Sequence, residues 1–73
     1  MKINIYNWAF EKSVFDKLSE IGYGFDENSP QSIVEGDIFE IAKKIYDSGL
    51  NVMIHHGSSM PVIYVDTKRF GQR

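Results

Sequence analysis

A chain of 73 residues without a cysteine must draw its stability from one small apolar core, because no disulfide or Cys-based zinc site is available to staple it. A domain of this size buries only about 60% of the surface its unfolded chain exposes, which leaves little slack for awkward polar burial. At 42% hydrophobic and 14% aromatic, the composition supplies such a core and does not read as a disordered polar tail. Two histidines cannot complete a metal cage alone, so no metal or cofactor is expected. No apolar run approaches the roughly 20 residues that span a bilayer. Charged Lys2 is followed at once by strand-like alternation, not by the apolar stretch of a signal peptide. The expectation is a single soluble, cytoplasmic domain over residues 1–73.

Hydrophobic periodicity then divides the chain. Lys2 to Asn7 alternates as a half-buried strand with Ile3 and Ile5 on one face. Asn7 is a candidate N-cap for a helix whose stripe runs Phe10, Val14, Leu18 and Ile21, widened by Phe15, with Glu11 in its first turn. Gly22 followed by Tyr23 is a helix stop. A second helix starts at the Asp37–Glu40 capping pair and carries Ile38, Ile41, Ala42 and Ile45 at helical spacing; Gly49 and Leu50 repeat the stop. Asn51 to His56 and Pro61 to Asp66 read as a hairpin across Gly57 to Met60. Gln31 to Glu35 reads either as a short strand or as an ordered loop. Both readings predict an α+β fold: a two-layer sandwich with two helices on one face of a three- or four-stranded sheet, in the order β-α-(β)-α-β-β.

Two short helices cover one side of such a sheet, not both. Alternation sends Ile3, Ile5, Leu50, Val52 and Ile54 toward the helices. The opposite face collects Lys2, Asn4, Tyr6, Trp8, Asn51, Met53 and His55, plus a pair from the wholly apolar run Val62 to Val65. A solvated outer face normally alternates polar residues, so this apolar content points to a surface that binds something or self-associates. Two bland readings compete: the 24–36 loop folds over the face, or the last strand is central and simply more buried.

Charge is segregated as well. Glu20, Asp26, Glu27, Glu35, Asp37 and Glu40 follow one another with no Lys or Arg between them, whereas Lys68, Arg69 and Arg73 end the chain without an acid. Structural roles as caps and solvated helix positions explain most of those acids; Glu27 and Glu35 remain as candidate steering charges. Three basic residues are few for phosphate recognition, and the net charge is −2, so nucleic acid is disfavoured.

Adjacent His55 and His56 point to opposite faces of a strand and cannot serve one site. Either one, with Asp66, Asp47, Ser58 or Ser59, suggests a general base or a Ser-His pair, but no nucleophile motif surrounds the serines. The expected function is therefore non-catalytic: binding of another protein, with self-association through the same face, as an adaptor, inhibitor or regulator of the phage or mobile-element accessory kind. Tyr6, Trp8, Met53, His55 and Ile63 are the expected contact residues, with Glu27 and Glu35 steering. The alternatives are weak nucleic-acid binding through Lys68, Arg69, Phe70, Arg73 and Tyr6, and a small His-dependent hydrolase.

Overall fold

The structure is a computed structural model and describes residues 1–26, 28–56 and 59–70. Six elements follow in the order β1 (Lys2–Asn7), α1 (Lys12–Glu20), β2 (Gln31–Glu35), α2 (Ile38–Asp47), β3 (Asn51–His55) and β4 (Val62–Asp66). The strands form one mixed sheet in the order β2-β1-β4-β3. β1 runs antiparallel to β2 and parallel to β4, and β3 and β4 form the expected antiparallel hairpin. Gln31 to Glu35 is thus a strand, at an edge. The hairpin residues Gly57 and Ser58 lie outside the described residues.

Both helices lie against one face of the sheet. Val14 and Leu18 of α1 and Ile38, Ile41, Ala42 and Ile45 of α2 share a core with Ile3, Ile5, Leu50, Ile63 and Val65. Val34, Val52 and Ile54 pack on its margin. The last strand is central, between β1 and β3, which is why Val62 to Val65 is apolar at every position. Phe25 also packs against this core, and its ring lies 5.2 Å from Phe15 of α1. The described part of the 24–36 segment therefore joins the helix side or the sheet itself, and does not cover the opposite face.

Local chemistry fixes the helix ends. Asp37 is the N-cap of α2 and its carboxylate accepts from the Glu40 N–H at 3.0 Å, satisfying one of the first-turn donors. The first helix starts later than its periodicity predicts. Glu11 is its N-cap residue and makes no side-chain cap bond. Asn7 instead caps from upstream: fully buried, it accepts from the Glu11 N–H at 3.2 Å and donates to the Glu11 carbonyl at 2.9 Å. This bracket closes a tight turn in which Phe10 adopts a left-handed φ of 55° and stands 52% exposed, outside the helical stripe to which spacing assigned it. At the other end Gly22 takes the left-handed position, and the Tyr23 N–H reaches the Leu18 carbonyl at 2.8 Å.

Candidate functional site

The uncovered face is built by strand register. Across the sheet one row reads Ile33, Asn4, Val62 and His55; the next reads Gln31, Tyr6, Tyr64 and Met53. Because β1 and β4 are the central strands, Tyr6 and Tyr64 stand side by side in the middle of the face, with ring centroids 5.6 Å apart in an edge-on contact. The Trp8 N–H bonds to the Val65 carbonyl at 3.0 Å and prolongs the β1–β4 ladder by a residue. Its indole thereby joins the same face, 5.2 Å from Tyr64 and perpendicular to it.

A fourth ring arrives from beyond β4. The Asp66 side chain is buried and accepts from the backbone N–H groups of Thr67 and Lys68 at 2.7 and 3.4 Å. That bend turns the chain back, and Phe70 comes to rest 6.2 Å from Trp8. Edge-to-face contacts of this kind add roughly 0.5–1.5 kcal/mol each beyond area burial, so the rings hold one another in place. The cluster is still open to solvent: Trp8 is 48% and Met53 is 41% exposed. His55 flanks it, 6.4 Å from the Tyr64 ring. Between the rings and β2, the Asn4 amide donates to Gln31 Oε1 at 2.6 Å.

Tyr6, Trp8, Met53 and His55 are thus brought together on one face. Ile63 is not: it is fully buried against the helices, because β4 directs its odd-numbered side chains inward, and it belongs to the core and not to an open contact surface. Tyr64 occupies the place assigned to Ile63. An all-apolar run has no alternation from which to read its phase, and only the pairing of Tyr6 with Tyr64 settles it. Glu35 lies at the β2 edge, where its carboxylate pairs with the N-terminal ammonium at 2.8 Å. Glu27 and Arg73 fall outside the described residues.

The charge around the cluster is mixed: Glu35 lies opposite Lys2 on the neighbouring strand, and the Glu11 carboxylate accepts from the Thr67 hydroxyl at 3.1 Å. Lys68 and Arg69 precede Phe70 and are exposed, and Lys2 lies on the same face of β1. Asp16, Glu20, Asp37, Glu40 and Asp47 belong instead to the two helices and the α2 cap. On that helix side a concavity of about 440 Å³ opens between Phe10, Phe15 and Phe25, rimmed by the Lys12–Asp16 ion pair.

Among the described residues neither His55 nor His56 is hydrogen-bonded to an acid or a serine. Asp47 is engaged by Lys43 at 2.6 Å. No group of three or more His, Cys, Asp or Glu among the described residues is arranged to hold a metal ion, and no helix among them is long and apolar enough to cross a membrane. Comparison with known proteins finds no matching family model, no matching curated protein and no matching solved structure.

Proposed function

We propose that this protein acts by docking a partner protein on the uncovered face of its sheet, in the manner of an adaptor, inhibitor or regulator and without catalysis. The observation that carries this reading is the cluster of Tyr6, Trp8, Tyr64 and Phe70, bordered by Met53, on the face that no helix or described loop covers. Aromatic residues and methionine are enriched in the cores of protein interfaces, where large rigid side chains bury area at low entropic cost. Exposed Lys68 and Arg69 beside Phe70 favour a partner that carries acidic residues at that end of the face. Glu35 contributes little to steering while its charge is matched by the N-terminus.

Trp8 is the single tryptophan of the chain and reports directly on this surface. Immobilised wild-type protein is compared in extract with Trp8→Lys and with Tyr46→Lys, the latter on the exposed side of α2. Loss of specific capture with Trp8→Lys and retention with Tyr46→Lys supports the face; the reverse pattern refutes it.

A second reading follows from the neighbourhood of Lys68, Arg69, Phe70 and Trp8, which sets cations beside rings as single-stranded nucleic acid binders do. It predicts quenching of Trp8 emission by an oligonucleotide at low salt that disappears at high salt. Protein docking on the apolar cluster survives the same salt.

A further inference from the structure

We infer that the free edge of β3 is a pairing edge for a second copy of this chain. The hydrogen-bond phase of the sheet dictates which backbone groups are available. Asn4 N–H bonds to Pro61 C=O and Trp8 N–H to Val65 C=O, so the odd-numbered residues of β4 face β1. Its even-numbered residues therefore face β3, where they meet Asn51, Met53 and His55. The N–H and C=O groups of Val52 and Ile54 are left pointing away from the sheet, and among the described residues nothing bonds them.

Edge strands are normally guarded by a charge, a proline, a bulge or a covering loop. Leu50 to His56 contains no Lys, Arg, Asp, Glu or Pro, and β3 pairs with β4 in unbroken register. The opposite edge is guarded. At β2 the Ser29 hydroxyl accepts from the Gln31 N–H at 3.3 Å and donates to its carbonyl at 3.2 Å, and Glu35 places an ion pair at the far end.

The occupant follows from the self-complementarity of β3. An antiparallel pairing about a twofold axis at Met53 sets Val52 opposite Ile54 of the second copy and Ile54 opposite its Val52, giving four interchain backbone bonds. On the inner side those half-buried aliphatic residues extend one core toward the other. On the outer side Met53 meets its counterpart and Asn51 meets His55, with no like charges opposed. The axis is perpendicular to the sheet, so the aromatic clusters of both copies stay on the same side and remain accessible. The dimer thus leaves the four rings free, and Met53 is the one residue that borders both surfaces.

Sedimentation equilibrium up to millimolar protein is expected to show a monomer–dimer equilibrium. Val52→Pro removes no bond within the sheet but deletes two interchain bonds by symmetry, weakening the dimer about 30-fold. Because the chain has no cysteine, Met53→Cys introduces one thiol at the axis. There the Cα atoms of a non-hydrogen-bonded pair approach to about 4.5 Å, within disulfide range. Oxidation should link Met53→Cys at least about tenfold faster than Ile33→Cys, which is exposed at the other edge. A wild-type monomer at all concentrations overturns the inference. So does a dimer indifferent to Val52→Pro, or equal linking by Ile33→Cys. If the proline variant does not fold, the cysteine comparison decides alone. Val52→Pro leaves Tyr6, Trp8 and Tyr64 in place, so loss of partner capture by the face is a separate result.

Discussion

Asn7 is the residue on which the entry to α1 depends, and its removal has a calculable cost. Its buried side chain makes two bonds to the Glu11 backbone, at 2.9 and 3.2 Å, and its own carbonyl accepts from the Phe10 N–H at 3.1 Å. A buried hydrogen bond is worth about 1 kcal/mol net, and more when its loss desolvates a group without compensation. Asn7→Ala should therefore destabilise the fold by about 2–3 kcal/mol, against a total of roughly 4–11 kcal/mol for a domain of this length. In a domain this small that shifts the thermal midpoint down by roughly 10–20 °C, measured by circular dichroism with urea unfolding as a check.

Asn7→Asp sharpens the test. It keeps the acceptor for the Glu11 N–H but sets a carboxylate oxygen against the Glu11 carbonyl, so the folded state favours the protonated acid. A folded pKa raised above the unfolded one gives stability that is present at low pH and lost as pH rises through the folded value. Asn7→Asp should thus regain stability on acidification relative to Asn7→Ala. An alanine variant within about 0.5 kcal/mol of wild type, or an aspartate variant with no such acid gain, refutes the bracketing role of Asn7.

Other consequences are checked in the same assays. Phe10 sits at a left-handed φ of 55°, so Phe10→Asn should be at least about 1 kcal/mol more stable than the more apolar Phe10→Val, because asparagine tolerates that conformation and a β-branched residue does not. Ile63→Ala should cost about 2–5 kcal/mol by urea unfolding, as a fully buried core residue, and should affect binding only through unfolding. Burial raises the Tyr23 phenol above its ordinary value, so its contribution is intact below that value and is lost as pH rises through the folded pKa. Relative to wild type, Tyr23→Phe should therefore show a flatter decline of stability in alkaline urea titrations.

Much of this fold is legible in the sequence where one period dominates. The Asp37 cap and the Ile38, Ile41, Ala42, Ile45 stripe define α2, and alternation places Ile3 and Ile5 inward and Tyr6 outward. Legibility fails where the local pattern is degenerate. Phe10 keeps helical spacing with Val14, yet the Asn7 bracket holds it in a turn before the helix begins. Val62 to Val65 carries no phase because its strand is central, so Tyr64 is hidden and Ile63 misassigned until the partner strands are known. Phe70 reaches Trp8 only through the bend set by buried Asp66, a contact that spacing along the chain does not announce. The ion pair of Glu35 with the N-terminal ammonium joins groups far apart in sequence and adjacent in the sheet, and spacing along the chain does not announce it.

Apart from the aromatic sheet face at Trp8, the outer side of α2 exposes large rings, with Phe39 and Tyr46 at 66% and 60%. Placing a photo-crosslinking phenylalanine analogue at position 8 or at position 39, in the native cellular background, separates them in one measurement. Docking of a partner protein on the sheet face predicts a discrete heterologous crosslink from position 8 and none from position 39. Crosslinks from position 39 alone, or from neither position, contradict it.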